Sequence, residues 1–141
     1  NPWLIVASNA YLNTYGTPKV TTDLNAHNCL VYSSVQGDDR WSLKTSEGDE
    51  QSIAVKGTFR SNNLSAVLAA ANEGMGLAAL PEYVARESMA SGKLQAVLED
   101  HSLPSQEMHA VFPSPKLVPS KVMSFIDYLQ QQLKGKWWLH F

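Results

Sequence analysis

The stretch "NEGMGLAALPEYV" sets Gly74, Gly76 and Ala79 at the spacing G-x-G-x-x-G/A. That spacing could cradle a dinucleotide pyrophosphate, provided a strand precedes the glycines and a helix follows, so that the phosphate meets a helix N-terminus. Other residue pairs invite different chemistry. His27 and Cys29 lie two apart, but no further His/Cys pair supplies zinc-ligand spacing. The acids Asp38-Asp39, Glu47, Asp49-Glu50 and Glu99-Asp100 fall in turns and read as solvated charges without a basic partner. No G-x-S-x-G elbow anchors a Ser/His/Asp hydrolase. The chemistry therefore depends on the elements around the glycines.

Those elements alternate. Trp3 to Ala7 form a short apolar run that reads as a buried strand, and "NAYLNTYG" as a helical turn or two ended by Gly16 and Pro18. "TTDLNAHN" suits a short capped helix, and "CLVYS" a second strand. "RWSLKTS" and "QSIAVKGTF", joined by "EGDE", carry Ser42, Lys44, Ser52 and Lys56 at roughly period-two spacing. This predicts an antiparallel hairpin with one wet face. Leu64, Val67, Leu68 and Ala71 lie at i, i+3, i+4, i+7, predicting a helix over 63–73 with an N-cap among Ser61, Asn62 and Asn63. Gly74 sits at the C′ position, "LAAL" is a strand, and Pro81 opens a helix that Gly92 ends. "LQAVLED" and "MHAVF" read as two more strands. "PSKVMSFIDYLQQQLKG" reads as a last helix with Val122, Phe125, Ile126 and Leu129 on one face. A helix thus precedes the glycines and a strand follows, the reverse of the dinucleotide-binding order. Gly74 is read as a helix cap and Gly76 as a residue permitting a tight turn or close packing.

Composition narrows the class. The chain has 141 residues, 44% apolar and 17% charged, with a formal net charge of −2 and scattered basic residues. This is one domain or a large piece of one, without the basic footprint of a nucleic-acid surface. The single cysteine excludes an internal disulfide framework. No apolar run approaches the roughly 20 residues of a membrane span, and a cytoplasmic setting is expected. The abrupt start at "NPWLIVAS" suggests a piece of a longer polypeptide.

The stretches "LIVASNAYLNTYGTP", "DLNAHNCLVYSS", "VKGTFRSNN", "GMGLAALPEYV", "SGKLQAVLED" and "FPSPKLVPSKVMSFIDYL" occur in the order found in LysR-type transcriptional regulators. From about Trp3 to Leu133 the chain resembles the C-terminal part of their effector-binding region. Asn9 stands where Pro is more usual, and Phe59 where Leu is.

The resemblance implies an α/β, type II periplasmic-binding-protein-like fold: a mixed sheet with flanking helices and an effector in the cleft between two subdomains. Residues 1–95 would be the second subdomain, 96–134 the returning strand and helix of the first, and 135–141 an aromatic tail. Ligands in open α/β sheets sit outside strand C-termini and at helix N-termini. The strand end Tyr32, Ser33 and Ser34, the helix start Ser61, Asn62 and Asn63, and Ser8 after the first strand are therefore the candidate effector residues. A solvated turn and ordinary capping are the plainer readings of these positions. The resemblance further implies a small-molecule effector such as an organic acid, DNA contact only through an absent N-terminal helix-turn-helix, and a homodimer or homotetramer. It implies no cofactor, metal, membrane contact or catalytic set. A transport solute-binding protein shares the fold, and a small α/β enzyme is the third class left open.

Overall fold

Strands buried on both faces carry unbroken apolar runs, because neither side meets water. The first strand, β1 (Trp3–Ser8), is such a run. So are β2 (Cys29–Tyr32) and β6 (Leu77–Pro81). In a computed structural model, describing residues 1–33, 39–45, 47–105, 109–113 and 118–135, these three lie side by side. They form the middle of a five-stranded sheet with order β5-β2-β6-β1-β7, in which β5 is Arg60–Ser61 and β7 is Leu94–Val97. β2 pairs parallel with both β5 and β6, whereas β1 pairs antiparallel with β6 and β7. The sheet is mixed, as expected.

Side chains alternate across it with period two. Ile5, Val31, Leu77 and Ala79 face one core, which Tyr11, Leu12, Leu24, Trp41 and Leu43 complete. Val6, Leu30, Ala78 and Leu80 face the other, closed by Val67 and Ala71 of α2 (Leu64–Asn72), Ala85 of α3 (Glu82–Ala90), and Leu94. Helix α1 (Asn9–Tyr15), a 3-10 helix over Thr21–Ala26, and a second sheet of order β4-β3-β8 cover the first face. In that sheet β3 (Arg40–Thr45) and β4 (Glu50–Ala54) are the expected hairpin, with Trp41 and Leu43 buried. β8 (His101–Ser102) joins β3 on its other side.

Four local expectations shift. The second hairpin strand ends at Ala54, because the chain then crosses to the larger sheet. There Lys56 and Phe59 carbonyls accept from Cys29 and Val31 N–H groups. The short helix is 3-10, and the Asp23 carboxylate caps it by accepting from Lys19 N at 2.8 Å and Val20 N at 3.1 Å. Those two N–H groups hold the Asp23 carboxyl below the usual carboxylate range. Pro81 closes β6 and precedes α3 rather than lying inside the helix. His109–Phe112 form no strand and belong to neither sheet among the described residues. The last helix, α4 (Ser120–Gln132), forms but buries no residue, leaving Val122 and Phe125 in solvent.

The glycine turn is a helix end. Gly74 has φ +75°, its N–H donates to Ala71 O at 3.0 Å, and Met75 N–H donates to Ala70 O at 3.1 Å. These are the two bonds of a Schellman cap on α2. Gly92 ends α3 in the same way. Gly76 instead permits a close approach, because a Cβ there would stand 2.1 Å from Asn28 O.

Both roles can be measured by chemical denaturation. Gly74→Val is expected to cost on the order of 1–2 kcal/mol through left-handed strain. Gly76→Ala is expected to cost about 1–3 kcal/mol through overpacking against a backbone carbonyl that cannot rotate away. A neutral result at either position contradicts the role assigned to it.

Candidate functional site

The parallel pairing of β2 with β5 decides which candidate residues meet. Tyr32 is in register with Ser61, and Ser33 N–H donates to Ser61 O at 3.0 Å. β5 then runs directly into α2. Ser61 Oγ accepts from Asn63 N at 3.1 Å, and Asn63 Oδ1 accepts from Ser65 N at 2.8 Å and Ala66 N at 3.3 Å. Tyr32, Ser33, Ser61, Asn62 and Asn63 therefore share one end of the sheet, with Tyr32, Ser33 and Ser61 half-buried and the two asparagines exposed. Ser34 lies outside the described residues.

Ser8 lies elsewhere. β1 runs antiparallel to β6, so its first residue, Trp3, pairs with Pro81 at the end of β6, while Ser8 pairs with Leu94 at the start of β7. Ser8 is thus at the opposite end of the sheet. Its hydroxyl is buried, accepts from Tyr11 N at 3.2 Å as the N-cap of α1, and sits 3.2 Å from where a Gly74 side chain would begin.

Two features of the shared end are not apparent from motifs. The Trp3 ring packs against Tyr32 with centroids 6.0 Å apart, and its Nε1 is buried without a hydrogen-bond partner among the described residues. A strand's first residue carries no signal of which distant strand end it will touch. Arg60 forms an ion pair with Asp39, so the reading of Asp39 as a solvated acid without a basic partner is corrected. The pair joins the start of the hairpin to β5, 21 residues apart in sequence.

The electrostatics of this end come from α2. The Ser65 and Ala66 N–H groups are already met by Asn63, and that of Asn63 by Ser61, so an anion there would gain from the helix dipole, the exposed Asn62 amide and the remaining first-turn N–H. Hydroxyl, phenol and amide groups beside half-buried aromatic surface can bind a small polar or aromatic acid. They form no nucleophile–base pair. Among the described residues no cluster of His, Cys, Asp and Glu could hold a metal, and no helix is long and apolar enough to cross a membrane.

The comparisons with known proteins bear on this geometry. Residues 1–134 match the LysR substrate binding domain. The chain belongs to that family. It is 30% identical over 131 residues to a probable HTH-type transcriptional regulator LtrA of Klebsiella pneumoniae, covering 91% of this chain but 42% of that protein. Among solved structures, the regulatory domain of AphB from Vibrio vulnificus aligns with TM-score 0.66 at 28% identity, over 92% of this chain and 64% of that one. The LysR-type regulator CrgA of Neisseria meningitidis aligns with TM-score 0.68 at 25% identity, over 95% of this chain and 45% of that one. The fold is that of LysR regulatory domains, and the chain spans about two fifths of the length of the curated relatives it matches.

Within this LysR domain Cys29 is a core residue. Its side chain is fully buried among Leu24, Val31 and their neighbours, and burial pushes its thiol from the ordinary 9.0 up to about 12. A folded-state value above the unfolded one stabilises the fold below about pH 9, where both states hold the proton. That contribution fades as pH rises from 9.0 towards about 12, because only the unfolded thiol ionises there. Burial also raises the Tyr11 phenol above its ordinary 10.0, so some alkaline loss should persist without the cysteine. Urea denaturation across this window should show stability falling less steeply with pH in Cys29→Ala than in the parent. Equal slopes would mean that the thiol is not sheltered.

Proposed function

We propose that this chain is the ligand-sensing part of a LysR-type transcription regulator. A small organic acid binds at the sheet end formed by Tyr32, Ser33, Ser61, Asn62 and Asn63, with Ser34, outside the described residues, as a further candidate contact, and thereby controls DNA binding by a helix-turn-helix elsewhere in the full-length protein. The observation that carries this reading is the parallel β2–β5 register, which sets the Ser33 strand end against the start of α2 in a chain of this family. Ligands in open α/β sheets gather at strand C-termini and helix N-termini; β2, β5 and β6 all end here beside the start of α2, whereas only β1 ends at Ser8, whose hydroxyl is already taken up in capping α1. Trp3, in contact with Tyr32 and with its indole N–H unpaired among the described residues, adds a donor at the Ser33 end.

The domain division follows the same reading. Residues 1–95 form one wall of the cleft, and 96–134, once Ala96–Val97 of β7 and the strand β8 have completed that wall, return to a second subdomain contributed by further polypeptide, with 135–141 as a tail of which 136–141 lie outside the described residues. The exposed apolar positions Val122, Met123, Phe125 and Tyr128 of α4 support this, since a lone amphipathic helix needs a surface to cover them. The regulator works without catalysis and as a homodimer or homotetramer, so that a change in cleft closure alters how paired DNA-binding domains are presented.

The test is a calorimetric titration of organic acids into this chain and into a longer polypeptide carrying the rest of the regulatory domain. One wall offers a few hydrogen bonds of ~1.5–3 kcal/mol each to a charged ligand, against several kcal/mol of lost freedom. Millimolar or weaker binding is expected for this chain and tighter binding for the longer one. Ser33→Ala and Asn62→Ala should each weaken the latter at least about tenfold if they bond the carboxylate. Unchanged affinity in both variants would place the ligand elsewhere. Gel shifts at low salt should show no sequence-dependent DNA binding by this chain alone, whose net charge is −2.

A further inference from the structure

We propose that the two-residue strand β8 is a strained strap, released from the hairpin by local opening while the five-stranded sheet stays folded. The strain sits at Leu98. Among the described residues it is the one non-glycine with a positive φ, +54°. Left-handed backbone crowds Cβ against the following carbonyl, which shifts a local equilibrium by about 5–30-fold against that conformation. Such residues persist only where the surroundings over-determine them, and they gather at switch regions.

Topology shows what imposes this conformation. The chain leaves the five-stranded sheet at Val97, the end of β7, and joins the other sheet at His101, the start of β8. Residues 98–100 alone make the crossing, and His101 N–H closes it by donating to Leu98 O at 2.9 Å. Leu98 stays left-handed so long as β8 stays paired. Its side chain and that of Leu103 are buried in the core that also holds Trp41 and Leu43 of β3. These two anchors flank β8 and fasten it against the strain.

The pairing they hold is small. β8 meets β3 at two register positions, Lys44 with Ser102 and Thr45 with His101. Thr45 N–H faces the other way and donates to Asp49 O at 2.9 Å. Antiparallel bonding alternates along a strand, so the N–H of Lys44 faces Ser102 and reports on β8 alone. Glu99, Asp100 and Ser102 are exposed, whereas the strands at the middle of the larger sheet are buried. Few buried contacts and exposed backbone bonds mark the segments that open first. Opening returns Leu98 to negative φ and frees the chain beyond it from the hairpin, without disturbing the β2–β5 register. In a ligand-sensing domain such a two-state element is what a ligand can bias, but the strap itself does not rest on the effector reading.

The experiment is amide hydrogen exchange of the full-length protein, read as protection relative to intrinsic rates. In the parent, Lys44 N–H should be at least about tenfold less protected than Val31 N–H, which donates to Phe59 O beside the larger sheet. Equal protection would mean that β8 opens only with the whole domain, and overturns the proposal. This comparison stands even where a variant fails to fold. Leu98→Ala and Leu98→Gly both remove the buried side chain, but only glycine takes a positive φ freely. Lys44 N–H should therefore be at least about threefold better protected in Leu98→Gly than in Leu98→Ala, the strain relieved less glycine's own entropic cost. Equal or weaker protection in Leu98→Gly would show that opening releases no strain at Leu98, and overturns the proposal as well.

Discussion

The first residues of β2 lie between two backbones that only glycine allows so near. A Cβ on Gly57 would stand 1.7 Å from Cys29 O, and one on Gly76 would stand 2.1 Å from Asn28 O. The Asn28 side chain fastens both flanks. Its Oδ1 accepts from Thr58 N at 2.8 Å, and its Nδ2 donates to Met75 O. Its own carbonyl accepts from Leu77 N at 2.9 Å. This clamp fixes β2 against β6 on one side and against the chain leading into β5 on the other. Because a strand has a rigid rise, fixing its start fixes its end. Tyr32 and Ser33 therefore come to Ser61, and the candidate effector end exists as a consequence of packing at the opposite end.

That division of labour separates the two ends of the sheet. At one, Gly74, Ser8 and Asn28 are consumed by capping and clamping, with their polar groups bonded inside the chain. At the other, hydroxyls, an exposed amide and an aromatic pair gather at strand C-termini beside a helix start. The dinucleotide-like spacing of Gly74, Gly76 and Ala79 belongs wholly to the first end. Its glycines serve a Schellman cap and a backbone contact, which need the same residue type as a phosphate cradle for different reasons.

Much of this was legible in the sequence. The runs at Trp3–Ala7 and "LAAL" read as strands because both faces are apolar, and 63–73 read as a helix because Leu64, Val67 and Ala71 recur at helical spacing. Strand direction was not legible. Only the antiparallel placement of β1 sends Ser8 away from Tyr32 and Ser61, and direction is a property of pairing between distant segments rather than of local pattern. The Asp39–Arg60 pair and the Trp3–Tyr32 contact were hidden for the same reason. The returning segment read as a strand from "MHAVF" alone, but His109–Phe112 belong to neither sheet among the described residues, and alternation without a partner makes no ladder.

The central claim is that ligand is sensed at the Tyr32–Asn63 end of the sheet and not at the Ser8–Gly74 end. Amide hydrogen exchange of the full-length regulator, with and without an organic acid that alters its transcriptional output, tests it most directly. Slowed exchange should concentrate at Ser33 and at the start of α2, over Asn62 to Ala66, while the amides of Tyr11 and Met75 at the opposite end keep their rates. Protection confined to Tyr11 and Met75, with Ser33 and Asn62 unchanged, would contradict the account.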